Sequence, residues 1–147
     1  RLSYTFRYIL RTGQNMTVTL REELNFVEAY GYQFKIRYED KLFIDMNVDE
    51  KYYDYTLPSL SLQPLIDNAV KHNAITQKRP MHIYIGVDGE RLVVSNPKYP
   101  LLNETSSTGI GLKNLRSRWQ LITGHDIEII DGNDTFTVKL PLQKSRA

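Results

Sequence analysis

The chain has no cysteine, which excludes disulfides and any cysteine-ligated metal site. It has no apolar run approaching the roughly 20 residues of a membrane-spanning helix, and no stretch patterned like a signal peptide. It also lacks a dominant charge. Lysine and arginine number 19 against 17 acidic residues, and the formal net charge of +2 is too small to argue for nucleic acid or a membrane surface as a direct partner. Internal repeats and low-complexity tracts are missing as well. Histidine is scarce: the three are His72, His82 and His125, so the first 71 residues contain none. What remains is 147 residues with 41% hydrophobic content, enough for one domain with a sizeable core.

Residues 1–11 have a helical pattern, with Leu2, Phe6, Ile9 and Leu10 as its apolar stripe. Two readings stand: the end of a helix already under way upstream, or a short native N-terminal helix. Gly13-Gln-Asn15 interrupts the pattern and reads as a hinge. Thr19-Leu-Arg-Glu22 fits a capping box, so a helix is expected there, carried towards Tyr38 by Leu24, Val27, Tyr30 and Phe34. Residues 42–48 suggest a strand, and 51–55 a polar, aromatic connector whose tyrosines pack at the surface. Residues 81–87 and 91–95 read as strands joined by a hairpin turn at Asp88-Gly89. Residues 96–108, with two prolines, read as a loop. Residues 127–130 and 135–142 form a second hairpin around 131–134. Helices mixed with hairpin strands point to a two-layer α/β sandwich, with the helices on one face of the sheet.

Two runs carry candidate chemistry. The first is Leu62-Gln-Pro-Leu-Ile-Asp-Asn-Ala-Val-Lys-His-Asn73. It reads as a helix from Ser59 or Ser61 to about Asn73; with the later start, Pro64 falls in the first turn, where proline is tolerated. Leu65, Ile66, Ala69 and Val70 share one side, and Asp67, Asn68, Lys71 and His72 the other. That polar stripe suits a metal ion with phosphates; it equally suits the solvated face of an amphipathic helix. The second run is Thr108-Gly-Ile-Gly-Leu-Lys-Asn-Leu-Arg-Ser-Arg118, where two glycines open a helical pattern of Leu112, Leu115, Trp119 and Ile122 running to about Thr123. Trp119 belongs to the core. Gly109 and Gly111 leave the backbone approachable, and a helix N-terminus favours an anion, so this is either a phosphate cradle or a tight turn.

The two runs, in this order, resemble the N box and second glycine box of the Bergerat-type ATP-binding fold. Leu62-Gln-Pro-Leu-Ile-Asp-Asn-Ala-Val-Lys-His72 is similar nearly residue for residue to that of the LytS/YehU-like sensor histidine kinases, and Val18-Thr-Leu-Arg-Glu-Glu-Leu24 and Lys35-Ile-Arg-Tyr38 resemble their lead-in. The resemblance covers almost the whole chain and implies a mixed sheet with helices on one face. It implies residues 1–14 as the end of a dimerisation helix and 15–147 as the ATP-binding catalytic domain.

By that resemblance Asn68 is a Mg²⁺ ligand, Lys71 and His72 face the phosphates, and Asp67 is a base or orients the acceptor. Gly109, Ile110, Gly111 and Leu112 form the phosphate turn. Gyrase-like ATPases carry a water-activating glutamate four residues before the asparagine. Here that position is Pro64, which favours phosphoryl transfer over hydrolysis. The first glycine box departs from the pattern. In Val93-Val-Ser-Asn-Pro-Lys-Tyr-Pro100, Asn96 stands where an aspartate would accept from the adenine amino group, and Pro97 and Tyr99 stiffen the hinge.

The resemblance thus implies ATP and Mg²⁺ as cofactors and transfer of the γ-phosphate to a histidine outside these residues. It implies the protein's own dimerisation helices, a homodimer and a LytTR-type response regulator as partners, in the cytoplasmic part of an inner-membrane sensor. The alternative, motivated by Asn96, is a degenerate module that only binds nucleotide or dimerises.

Overall fold

The computed structural model describes Thr5, Tyr8, Ile9, residues 17–101 and residues 109–144. The capping box at Thr19 is present: Thr19 Oγ1 accepts from the Glu22 amide at 3.2 Å, and the Glu22 carboxylate accepts from the Thr19 amide at 3.1 Å. It starts helix α1, Leu20–Tyr38, in which Leu24 and Val27 are buried and Tyr30 and Phe34 pack against the core. Before it, β1 (Thr17–Thr19) pairs antiparallel with β3 (Thr56–Pro58). Strands of three residues leave too little alternation to be read from sequence, and this small sheet was not expected.

The main sheet has five strands in the order β2-β4-β5-β7-β6. They are β2 (Leu42–Asn47), β4 (Met81–Asp88), β5 (Arg91–Pro97), β6 (Glu128–Asp131) and β7 (Thr135–Pro141). β2 and β4 run parallel; the other neighbours are antiparallel, so the sheet is mixed as expected. Helices α2 (Gln63–Lys71) and α3 (Ile110–Thr123) complete the helical layer. Alternation decides the faces. Met81, Ile83 and Ile85 of β4 are buried while His82 and Tyr84 are exposed; Leu92 and Val94 of β5 meet Leu140 and Val138 of β7 on the buried face. Trp119 is fully buried, as its spacing predicts, and its Nε1 donates to Ser61 Oγ at 3.1 Å. The hairpin at Asp88-Gly89 is present, with Gly89 at φ 67°, a left-handed conformation that glycine adopts at little cost.

Three boundaries differ from expectation. α2 takes the later start, with Pro64 in its first turn, and His72 caps its C-terminal end. β5 continues through Asn96 and Pro97, which had read as loop, because both pair with β7 (Asn96 opposite Phe136, Pro97 opposite Thr135). In the N-terminal segment Tyr8 is buried, whereas Ile9, expected on the apolar stripe, is 37% exposed. Leu2, Phe6, Leu10, the Gly13–Asn15 hinge and the loop over 102–108 lie outside the described residues.

Candidate functional site

The apolar side of α2 is buried through Leu65, Ile66, Ala69 and Val70, which leaves its polar side at the rim of a cleft. The cleft holds about 250 Å³ and lies between α2, the end of β5, the start of α3 and the β6–β7 turn. Asn68 and His72 line it from α2, Gly109 and Leu112 from α3, Asn96 and Lys98 from β5 and its exit, and Asp131 and Phe136 from the last hairpin. Two sequence runs 40 residues apart therefore meet in one cavity.

Three contacts hold α2 in place. At its N-terminal end, the buried Glu23 carboxylate of α1 accepts from the amides of Leu60 (3.1 Å) and Leu62 (3.0 Å) and from the Tyr8 hydroxyl (3.0 Å). Burial pushes this carboxyl above the ordinary range, while the Leu62 amide, the Tyr8 hydroxyl and the Leu60 amide pull it down. In the middle of α2, the Tyr30 hydroxyl donates to Asp67 at 2.5 Å. Burial, then that bond to Asp67, pushes the Tyr30 phenol up to about 12. At the C-terminal end, Asn73 donates to the Ala69 carbonyl at 2.9 Å and accepts from the Tyr99 amide at 2.6 Å, stitching α2 to the segment after β5. The Ala74 amide adds a bond to the Tyr99 carbonyl at 2.7 Å, and the Lys98 amide one to Asp134 at 2.9 Å. The segment that departs from the glycine-box pattern is thus pinned on both sides.

Of the residues singled out by sequence, Asn68, His72, Asn96, Gly109 and Leu112 come together in the cleft. Asp67 does not line it; its carboxylate is engaged by Tyr30. Lys71 is exposed and outside the lining. Ile110 is 60% exposed in the first turn of α3. The two glycines differ in purpose. Gly109 sits at φ 65°, where an L side chain is strained, whereas a Cβ on Gly111 would meet only Pro64 of α2, at 4.0 Å. Gly109 makes the turn, whereas among the described residues nothing crowds position 111.

Three side-chain amides line the cleft among the described residues, Asn68, Asn73 and Asn96. Asn73 is engaged at both its nitrogen and its oxygen by backbone, which leaves the oxygens of Asn68 and Asn96. Asn96 is only 7% exposed, at the end of the inward row Leu92, Val94, Asn96. Its Nδ2 donates to the Pro97 carbonyl at 2.7 Å, which turns Oδ1 into the acceptor left for a ligand. No cluster of three or more His, Cys, Asp or Glu that could hold a metal occurs among the described residues. Among the described residues, Asn68 then offers the open amide oxygen at the α2 end, since that of Asn73 is engaged by the Tyr99 amide. That fits Mg²⁺, which takes oxygen ligands, retains several waters and shares phosphate oxygens.

Sequence reasoning missed Lys98, Asp131 and Phe136. Lys98 Nζ donates to Asp131 at 2.5 Å and to the Gly132 carbonyl at 2.8 Å, closing one side of the cleft. Phe136 had a signal: it shares parity with the buried Val138 and Leu140. Lys98 and Asp131 had none, since an ion pair between separate strands leaves no trace in local spacing. Glu23 was missed because a carboxylate in a capped first turn reads as solvated.

A family model described as histidine kinase matches residues 1–42. The sensor histidine kinase/phosphatase LytS of Staphylococcus aureus (strain Mu50 / ATCC 700699) is 33% identical over 164 aligned positions, which take in 97% of this chain and 28% of the relative. The chain thus spans little more than a quarter of the length of the curated relatives it matches. Among solved structures, the cytoplasmic segment of histidine kinase QseC aligns with a TM-score of 0.60 at 13% identity, covering 99% of this chain and 92% of that one. The catalytic domain of histidine kinase ThkA aligns with a TM-score of 0.54 at 17% identity, covering 88% of this chain and 98% of that one. At these identities the two structures speak for the fold.

Proposed function

This chain belongs to the LytS-like sensor histidine kinases, and on that premise we propose that it binds Mg-ATP in the Asn68 cleft and hands the γ-phosphate to a histidine outside these 147 residues. The observation that carries the reading is the pair of amide oxygens, of Asn68 and Asn96, left open at opposite ends of one cleft, with a helix N-terminus beside the first. In this reading Asn96 Oδ1 accepts from the adenine amino group and Phe136 packs against the base. The first amides of α3, after Gly109, have no intrahelical acceptor and take the phosphates, with Ile110 and Gly111 contributing backbone. His72 donates to a phosphate oxygen, and Lys71 adds charge at the rim. Mg²⁺, when bound, supplies neutralisation of the triphosphate charge. Asn68 orients it.

No group in this arrangement serves as a base for water. Pro64 has no such side chain, and of the two roles expected for Asp67, base or orienting residue, its bond from Tyr30 favours in this reading the second, through its hold on α2. Positioning and charge are what phosphoryl transfer chiefly needs. The acceptor comes from dimerisation helices continuous with residues 1–14, so the working protein is a homodimer on the cytoplasmic side of a membrane sensor. Its phosphoryl group passes to a response regulator of the LytTR type. Among the described residues no helix is long and apolar enough to cross a membrane.

Calorimetry with a non-hydrolysable ATP analogue, with and without Mg²⁺, tests the reading. Mg-dependent binding without steady phosphate release or phosphohistidine on this chain alone is the expected result. A folded chain with no measurable binding would instead make it the degenerate module that the neutral Asn96 otherwise suggests.

A further inference from the structure

Glu23 is a carboxylate with no solvent exposure, 45 residues from Asn68 in sequence. It grips the turn immediately before α2, accepting from the Leu60 and Leu62 amides. That turn is strained. Leu60 has φ 60°, a left-handed conformation a branched side chain rarely holds unless its surroundings impose it. The surroundings here are polar and buried. Arg118 of α3 donates to the Ser59 carbonyl, Trp119 donates to Ser61 Oγ, and Ser61 Oγ donates to the Pro58 carbonyl at 2.6 Å. The turn therefore adopts its conformation because α1 and α3 both hold it.

The side-chain donor to Glu23 comes from the N-terminal segment. Tyr8 is 3% exposed, and its hydroxyl bonds to Glu23 Oε1, the same oxygen that accepts from Leu60. The Tyr8 ring has a second line to α2. It stacks on Phe26 at 4.9 Å between centroids, Phe26 stacks on Tyr30 at 5.4 Å, and the Tyr30 hydroxyl holds Asp67, the neighbour of Asn68. One side chain of the N-terminal segment thus touches the start of α2 through Glu23 and its middle through Tyr30.

We propose that Glu23 is a positioning residue that ties the N-terminal segment, through Tyr8, to the turn that sets the Asn68 helix, so that moving this segment changes how the cleft binds its nucleotide. The proposal rests on the reading of that cleft as a Mg-ATP site and adds how the site is regulated. Burial makes the link sensitive. A buried carboxylate that loses one of its donors keeps the full cost of its desolvation, and its hold on the remaining amides must change. Displacing the segment that carries Tyr8 removes that donor and the end of the ring stack together.

Tyr8→Phe keeps the ring and removes the hydroxyl, and separates the link from the fold. In the 147-residue chain, the expected result has two parts. The Leu60 and Leu62 amide protons shift and exchange faster by NMR, while those of the β4–β5 hairpin stay as they were. Affinity for a non-hydrolysable ATP analogue falls by about threefold to tenfold in the Mg²⁺-dependent part, less than the roughly tenfold to hundredfold of one hydrogen bond to a charged group because the effect reaches the cleft through the turn. Tyr8→Ala, which also removes the ring, weakens binding further. Unchanged Leu60 and Leu62 amides overturn the proposal. Shifted amides with unaltered affinity overturn it too, because the link then stops at the turn. If the parent chain binds no nucleotide, the reading of the cleft fails, and the amide shifts still decide whether Tyr8 and Glu23 form the link. Glu23→Gln is the second variant. If it folds, it shows the same amide shifts with Tyr8 intact; the same amides unmoved would count against the assignment.

Discussion

The two ends of the cleft are built in different ways. At the Asn68 end, one helix presents Asn68 and His72 on a single stripe, and the next helix starts opposite, at Gly109. At the Asn96 end, the wall comes from the last residues of β5, the first of β7 and the turn between β6 and β7. It is registered by the Asn96–Phe136 pair and closed by Lys98 on Asp131. The first end is fixed by spacing within a helix, and the second by the register between strands. A helix can keep its chemistry while its surroundings vary. A wall of strand ends changes whenever one residue of the exit segment changes, and it is here that this chain departs from the pattern it resembles.

The largest effect is expected at the helical end. Asn68→Ala should remove the Mg²⁺-dependent part of nucleotide binding, a loss of about tenfold to a hundredfold for a ligand that meets a cation. Metal-free affinity should hardly move. Calorimetry at two Mg²⁺ concentrations checks it, and equal losses with and without metal would assign Asn68 to something other than the ion. The glycine pair comes next. Gly109→Val places a branched side chain at φ 65° and should cost about 1–2 kcal/mol in thermal unfolding. Gly111→Ala should be tolerated, since its Cβ meets Pro64 at an ordinary 4.0 Å. Equal destabilisation by both would remove the distinction drawn between them.

At the strand end the effect should be smaller and more selective. Asn96→Leu removes the acceptor yet suits the inward row of Leu92 and Val94. Affinity for the adenine analogue should fall by about threefold to tenfold, the scale of one neutral hydrogen bond. Affinity for the inosine analogue, which has no amino group to donate, should stay the same. A parallel loss for both bases would mean that Asn96 shapes the wall without reading the base.

This asymmetry also governs how much was legible before the structure. The capped helix at Thr19, the Asn68 stripe, the two hairpins and the buried Trp119 follow from periods of 3.6 and 2 and from turn chemistry, all of them local. Leu24, Val27, Leu65 and Ile66 were placed in the core for the same reason. The extent of β5 was not legible, because Asn96 and Pro97 look like turn residues until β7 is laid beside them. Lys98 and Asp131 were illegible because they are brought together across a strand pair. Glu23 was illegible because its donors lie 37 and 39 residues further along. Asp67 shows the opposite case. Its position was legible and its partner was not: the stripe offered a base or a residue that orients the acceptor, and the bond from Tyr30 of α1 had no local sign.

That last point can be tested by titration, with the smallest expected effect. The Tyr30 phenol, raised to about 12 first by burial and then by Asp67, favours the protonated, bonded form in the folded chain. A raised phenol adds stability that is fully present below the ordinary tyrosine range near pH 10 and is lost as pH rises towards 12. The contact of Tyr30 with Asp67 should therefore hold at neutral pH as far as the phenol is concerned and loosen through it only in strong alkali. Tyrosinate absorbance followed against pH should show late-ionising phenols, Tyr55 beside Glu90 also being raised, and Tyr30→Phe should remove one of them while leaving the others in place. If every phenol that ionises in the folded chain does so near pH 10, the Asp67 carboxylate is not held as described. The helical end of the cleft would then be as loosely anchored as a surface stripe.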